Sequence, residues 1–201
     1  MSKSFLGLTA LILAGAAGSA MAADGTIEFK GHIINSSCTM KDGDGGTVSN
    51  GGKTITVNLG AVSKSALAET AGGANIAAAK NINLVLDCAN AIDGLNNVHV
   101  TFLPKVSGGT GLDPNNNKLL QISGSAKGVG IGLFDASNQL IDLADPMAKL
   151  SGTLTLDQTD PDNIKGSANL NLRAAYVASG TLASIQPGTA NGTLPFVLNY
   201  D

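Results

Sequence analysis

The chain ends inside a β-strand pattern, LPFVLNYD, at residues 194–201. Phe196, Leu198 and Tyr200 recur there at every second position, and side chains two residues apart lie on the same face of a strand. The pattern therefore predicts a strand with one strongly apolar face. We expect that face to need a covering partner from elsewhere, because the pattern runs to the last residue.

Similar patterns recur along the whole chain. Alternating or short continuous apolar runs are separated by Gly, Asn, Asp and Ser, which favour turns. A helix-like stretch at 63–79 is rich in Ala but contains Gly72 and Gly73, so it predicts at most a turn or two of helix. Many short strands with turns between them predict an all-β sandwich. The predicted strands cover residues 26–35, 53–59, 81–87, 98–103, 118–122, 128–134, 167–178 and 193–200.

The first 22 residues have the composition of a secretory signal peptide. Lys3 supplies a positive charge, residues 5–17 form an uncharged apolar run, and Ala20 and Ala22 give the spacing of a cleavage site. The mature chain should begin at Ala23. No later segment approaches the about 20 apolar residues that span a bilayer. The sequence therefore predicts an exported, unanchored chain that forms one domain after the leader.

The mature chain carries little net charge. Without Lys3, 11 basic side chains face 15 acidic ones, which gives a net charge of −4 with no basic cluster. This distribution excludes nucleic acid and anionic membranes as main partners.

Cys38 and Cys88 both lie in the exported part of the chain. In an oxidising compartment a disulfide is the default state of such a pair. A redox-active or metal-binding pair is the alternative, but the sequence has neither a CxxC motif nor a cluster of histidines near the cysteines. We therefore expect a structural disulfide and no metal site.

Candidate catalytic and ligand sites are weak. His32 and His99 each lie inside a strand pattern and no GxSxG motif accompanies them, which disfavours a serine hydrolase. The DGDGG loop at 42–46 begins like a calcium loop but has Lys53 where a Glu ligand is needed. No helix follows the GVGIG run at 128–132, so it is not a dinucleotide loop. The sequence thus predicts no enzyme and no cofactor.

The mature N-terminus contains a second strand pattern without an obvious partner. In ADGTIEFKGHIINSSC, Ile27, Phe29, Gly31 and Ile33 fall on one face, and all precede the first cysteine. A strand with an apolar face and free backbone groups must add to a sheet to be stable. We therefore expect this segment to pair with a sheet edge.

Together these motifs resemble the pilins of bacterial chaperone–usher fimbriae, and the type 1 fimbrial subunits in particular. The resemblance covers nearly the whole chain, through TIEFKGHIINSSC, ITVNLGAVSKSALA, NLVLDC, GVGIGLFD, LNLRAAYVASG and LPFVLNYD. Pilins of this family have a penultimate aromatic residue and a Gly fourteen residues from the end. Tyr200 and Gly188 occupy those two positions here.

The resemblance implies an incomplete immunoglobulin-like β-sandwich that lacks its last strand. Residues 23–36 would form an N-terminal donor strand and residues 37–201 the pilin domain. A periplasmic chaperone would fill the acceptor groove first, and the donor strand of a neighbouring subunit would replace it at an outer-membrane usher. The strand that lines this groove, and that the chaperone would bind, would contain Gly188, Phe196, Leu198 and Tyr200.

The resemblance also implies a function. The chain would be a structural subunit of an extracellular fimbria on a Gram-negative cell, reached through the periplasm, and would support cell adhesion as a homopolymer. A major shaft subunit is the favoured interpretation, and a minor adaptor or terminating subunit is the alternative. A rival from another class is a soluble secreted β-sandwich that uses a loop face to bind a glycan or calcium. The acidic loop at 157–163 is predicted to be a turn, because Pro161 and the lack of a spaced ligand pattern disfavour a calcium site there. Tyr176 and Tyr200 lie in strand patterns rather than in a loop cluster, which disfavours this rival.

Overall fold

The described part of the chain is built mainly from antiparallel β-strands. This is a computed structural model, and the residues that it describes are 37–41, 43, 45–49, 51, 53–67, 78–89, 94–160 and 163–201. Two short 3-10 helices, Lys64–Ala66 and Leu182–Ser184, complete their regular structure. The strands are β1 (Ser37–Lys41), β2 (Thr47–Ser49), β3 (Thr54–Thr56), β4 (Lys80–Ala89), β5 (Asn97–Phe102), β6 (Val129–Phe134), β7 (Lys149–Thr153), β8 (Thr155–Asp157), β9 (Lys165–Ala178) and β10 (Phe196–Tyr200).

The strands form two main sheets and a separate hairpin. The larger sheet has the order β1-β4-β9-β6, and β8 also pairs with β9. The smaller sheet has the order β10-β5-β7, and β2 and β3 form the hairpin. Strand β10 is therefore an edge strand, which pairs among the described strands with β5 alone.

The main core lies between the two sheets. Leu84 and Leu86 of β4 and Leu170 of β9 share one cluster with Val98 and Val100 of β5, and all five side chains are buried. In β4 and in most of β9 the buried residues alternate with more exposed ones, as expected for strands with one face on a core. Each such side chain contributes about 1.5–3 kcal/mol when fully buried, so this cluster holds the two sheets together. The expected all-β sandwich is confirmed.

The C-terminal half of β9 departs from strict alternation because both of its faces are covered. Ala174 belongs to the main core. Ala175 and Val177 belong to a second cluster with Leu119 and Phe134. A strand that is buried on both faces has a continuous apolar sequence, which accounts for the run AAYVA.

The expected disulfide is confirmed between Cys38 and Cys88. The two residues are direct partners in the register of β1 and β4, and Cys88 is fully buried. The bond therefore fixes the edge strand β1 to the larger sheet.

One prediction about secondary structure is wrong, that of a strand at residues 118–122. Residues 118–122 form no strand, since Leu120 makes only isolated bridges to Leu112 and Ile131. Leu119 and Leu120 enter different clusters, so the apolar run reflects burial on two sides rather than strand pairing. In the described part of 63–79 the helix is a single 3-10 turn. The other predicted strands from residue 53 onward are confirmed, with shifted ends.

Residues 1–36 lie outside the described residues. They include the expected signal peptide and the four leading-strand positions Ile27, Phe29, Gly31 and Ile33. The donor strand at 23–36 therefore stays a prediction. Within the described residues, no helix is long and apolar enough to cross a membrane.

Candidate strand-binding groove

An apolar groove of about 1330 Å³ opens beside the edge strand β10. Two chain segments line it, residues 53–62 and residues 185–196 with Leu198, together with inner-face side chains of both sheets. Among the described strands, none pairs with the open edge of β10. The side chains from the sheets include Leu84, Val100, Ile131, Leu133, Leu172 and Ala174.

Side chains at residues 54–60 and in β10 alternate as they do in strands, but their apolar faces are only partly covered. Ile55, Val57 and Leu59 are half-buried, and the residues between them are exposed. Phe196 and Leu198 are also half-buried, although the neighbouring strand β5 contains fully buried valines. The groove therefore has the apolar surface of a core, and the described part of the chain supplies no side chains that fill it.

The backbone of β10 presents the same open edge. Asp201 exchanges two hydrogen bonds with Asn97, at 2.9 and 3.1 Å, and the carbonyl of Pro195 accepts from Leu103 at 2.8 Å. In an antiparallel pair, alternate residues direct their N–H and C=O groups toward the partner. The N–H and C=O groups of Phe196 and Leu198 therefore point away from β5, toward the open edge. Such an edge is a template for pairing with another strand.

Gly188 lines the groove eight residues before β10 begins. A Cβ atom at this position would come within 2.5 Å of the backbone nitrogen of Ala126 and of Ser125 Oγ. The segment is held close because Lys127 and Gln186 exchange two backbone hydrogen bonds of 3.1 Å. Gly188 thus allows its backbone to approach that of Ser125 and Ala126. The position of this glycine in the sequence does not by itself predict that contact.

Of the other positions expected in the groove strand, Phe196 and Leu198 line the groove and Tyr200 does not. Tyr200 packs against the main core instead, and its burial raises the pKa of its hydroxyl. The structure thus brings Gly188, Phe196 and Leu198 together along one side of the groove.

Lys64 was not singled out by the sequence, yet it fastens the Gly188 end of the groove. Its Nζ atom donates to the carbonyl oxygens of Ala183 and Ile185, at 3.3 and 3.2 Å. Leu67 packs nearby against the cluster that contains Ile185. These contacts join the segment after β3 to the segment before β10. Residues more than a hundred positions apart leave no local sequence signal for such a contact.

The chemistry of the groove suits binding rather than catalysis. Lys53 and Lys64 are the charged side chains in its lining, and both are exposed. In the described part of the chain, no three or more His, Cys, Asp or Glu side chains lie close enough together to hold a metal ion. The groove can accept an extended segment with an apolar face.

Comparisons with known proteins place the chain in a family. The family model described as "Fimbrial protein" matches residues 27–201. The chain belongs to this fimbrial protein family. It is a structural fimbrial subunit and not an enzyme, and the rival interpretation of a soluble binding protein is set aside.

Three relatives of this fimbrial subunit span nearly its whole length. The probable major fimbrial subunit LpfA of Escherichia coli O157:H7 is 33% identical, over 100% of this chain and 98% of its own. The major fimbrial subunit SMF-1 of Stenotrophomonas maltophilia is 32% identical, over 94% of this chain and 100% of its own. The type-1 fimbrial protein A chain of Escherichia coli K12 is 30% identical, over 88% of this chain and 83% of its own. Membership of this family implies polymerisation with other pilin subunits in extracellular fimbriae of Gram-negative bacteria.

Proposed function

We propose that the groove accepts the leading strand of a neighbouring copy of this chain. The proposal is supported by the match between two features. One is a half-covered apolar groove with a strand edge that is open among the described strands, and the other is a sequence segment with one apolar face. That face carries Ile27, Phe29, Gly31 and Ile33, with polar side chains on the other face. The single observation that carries the proposal is the edge of β10 that no described strand pairs with, beside apolar side chains.

The energy available from such docking is large. Three buried side chains of the size of Ile and Phe contribute about 1.5–3 kcal/mol each when fully buried. A ladder of main-chain hydrogen bonds along β10 adds to this, as in other cases of strand addition. Together these contributions favour a contact that dissociates slowly.

Docking of this kind propagates because the donor and the acceptor are different surfaces of the same chain. Each subunit that fills a neighbour's groove leaves its own groove to be filled by the next one. A head-to-tail contact that does not close into a ring generates a filament. The repeating contact would make this chain the homopolymer of a fimbrial shaft. The relatives named as major fimbrial subunits support this role over that of a minor adaptor or terminating subunit.

An open apolar groove also implies that the subunit needs assembly proteins before it polymerises. Exposed apolar surface beside a free strand edge promotes aggregation. A periplasmic chaperone that lends a strand would protect the groove, and an outer-membrane usher would be the place where a subunit's own leading strand replaces it. The signal peptide predicted at residues 1–22 is consistent with this route through the periplasm.

A site-specific photocrosslink tests the docking directly. A benzophenone amino acid at position 29 of the leading strand should label residues 53–62 or 185–198 of a neighbouring subunit in purified fibres. The same probe at position 30, on the opposite face, is the control and should label these segments far less. Equal labelling from both positions, or labelling of neither segment, would overturn the proposal.

A further inference from the structure

The last residue of the chain is held at several points. The backbone oxygen of Asp201 accepts from the N–H groups of Asn96 and Asn97 at 2.8 and 2.9 Å, and its own N–H donates to Asn97 at 3.1 Å. Its carboxylate lies 2.9 Å from Nε2 of His99 on β5. Asp201 is exposed, yet three backbone hydrogen bonds and one side-chain contact converge on it.

The His99 ring is itself oriented by the next strand. Ser151 Oγ on β7 lies 2.7 Å from Nδ1, on the opposite side of the ring from Asp201. A neutral ring with its proton on Nε2 satisfies both contacts, since Nδ1 then accepts from the serine and Nε2 donates to the carboxylate. Lys149 is the other charged group nearby, with Nζ 3.5 Å from Nε2. We call Asp201, His99 and Ser151 the terminal clamp.

The terminal clamp has the residue types of a hydrolytic triad but not its setting. All three side chains lie on the outer face of the smaller sheet, and none of them lines the groove. A catalytic serine needs a substrate pocket with donors aimed at an oxyanion. The clamp spans three neighbouring strands, and this placement favours a role in alignment.

The apolar pattern of β10 does not by itself fix the register of β10 on β5, because one kind of slip keeps the same face inward. A slip by one residue would turn Phe196 and Leu198 away from the core, so burial opposes it. A slip by two residues keeps the same face inward and moves the strand by about 7 Å along its neighbour. That shift would misplace the side chains and the free backbone groups that line the groove.

We propose that the terminal clamp fixes the register of β10 and so positions the groove strand for an incoming strand. A two-residue slip that carries Asp201 past Asn97 takes its carboxylate away from His99. A two-residue slip in the opposite direction moves the backbone oxygen of Asp201 away from the N–H groups of Asn96 and Asn97. The role of the groove rests on the proposed function, whereas the register itself does not.

Pairs of engineered cysteines measure the register. Thr101→Cys with Val197→Cys joins residues that are directly opposite in the native register. Asn97→Cys with Asn199→Cys joins diagonal neighbours, about 7–8 Å apart, which become opposite only after the slip that carries Asp201 past Asn97. Each pair is introduced into the full-length exported chain, and the extent of cross-strand disulfide is measured by mass spectrometry.

Asp201→Ala should raise the slipped disulfide several-fold and lower the native one. Asp201→Asn keeps an oxygen acceptor for His99 and should restore most of the native ratio. Ser151→Ala removes only the contact that orients the ring, at an exposed site, and should shift the ratio in the same direction. Asp145→Ala is the matched control. It also removes a carboxylate acceptor, but that carboxylate accepts from the N–H group of Met147 in a loop outside the terminal clamp.

An unchanged ratio in both Asp201→Ala and Ser151→Ala would overturn the clamp. Ser151→Ala also serves if Asp201→Ala fails to accumulate. Fibre yield is scored separately from the crosslinks. If the native sequence forms no fibres while the disulfide ratio still shifts in the clamp variants, the proposed function fails and the clamp stands.

Discussion

Tyr176 donates a hydrogen bond from its hydroxyl to the carbonyl oxygen of Ala190, across 2.6 Å. Tyr176 lies on β9 of the larger sheet, and Ala190 lies in the segment that leads into β10 of the smaller sheet. Both residues line the groove, and burial raises the pKa of the tyrosine hydroxyl. This one bond therefore joins the larger sheet to the segment that carries the groove strand.

Replacing Tyr176 by Phe should destabilise the subunit. The substitution keeps the ring but leaves a partly buried carbonyl without its donor, which costs about 1–3 kcal/mol. The midpoint of urea unfolding, measured on the subunit held with its chaperone, should fall. Tyr200→Phe is the control, since the described residues offer its hydroxyl no partner. Equal effects of the two substitutions would contradict a specific role for the Tyr176 bond.

The carboxylate of Asp201 should make stability depend on pH in the acid range. Hydrogen bonding from His99, and then from Asn97, lowers the pKa of this group below its ordinary value of 3.8. A lowered folded-state pKa adds stability above the unfolded value, and this stability is lost as the pH falls through the folded value. Asp201→Asn should therefore be less stable than the native chain at pH 7 and indistinguishable from it well below pH 3.8. A constant difference across this range, measured by urea unfolding, would contradict the assignment.

Much of the fold could be predicted because its main strands are marked by their own side chains. Strands β4 and β9 alternate clearly, and β10 carries its apolar face in Phe196 and Leu198. By contrast, β7 (KLSGT) and β8 (TLD) are short and largely polar, and their pairing with β5 and β9 decides their structure. Local sequence gave no signal strong enough to predict them.

The candidate site could be predicted only in part, for a similar reason. Residues 53–59 were expected to form a strand, but nothing in their sequence says that they line the same groove as β10. The sequence predicts His99 to be an ordinary strand residue, whereas its ring contacts Ser151 on β7 and Asp201, the residue after β10. Contacts between side chains far apart in the sequence depend on the sheet order, which the alternation of one strand does not contain.

Removing the Cys38–Cys88 bond should lower stability substantially. The bond closes a separation of 50 residues. In the chain-entropy model, a loop of this length contributes about 4 kcal/mol. The double variant Cys38→Ala, Cys88→Ala should unfold at lower urea than the native chain, and added reductant should not change its midpoint. Mass spectrometry that finds two free thiols in native fibres would contradict the disulfide in the assembled state.

Deleting residues 199–201 should abolish stable subunit in the periplasm. The deletion removes Tyr200 from the core and the terminal clamp from β10, while the signal peptide predicted at 1–22 is untouched. Removal of the leader should therefore proceed normally, and the mature chain should then be degraded. Asn199→Ala, at an exposed position, is the control and should accumulate normally. Normal steady-state levels of the truncated chain in periplasmic immunoblots would contradict a requirement for the end of β10.

The substitution Gly31→Leu separates the donor-strand proposal from a leading segment that has no partner. Gly31 falls between Phe29 and Ile33 on the face expected to enter the groove. A large side chain in a tightly packed site costs about 1–3 kcal/mol, so the variant should still bind a chaperone through its own groove but polymerise much more slowly. Lys30→Leu adds an equally large apolar side chain on the opposite face and should polymerise close to normally. Fibre length and number are counted by electron microscopy, and normal fibres from Gly31→Leu would mean that this face does not dock into a neighbouring subunit.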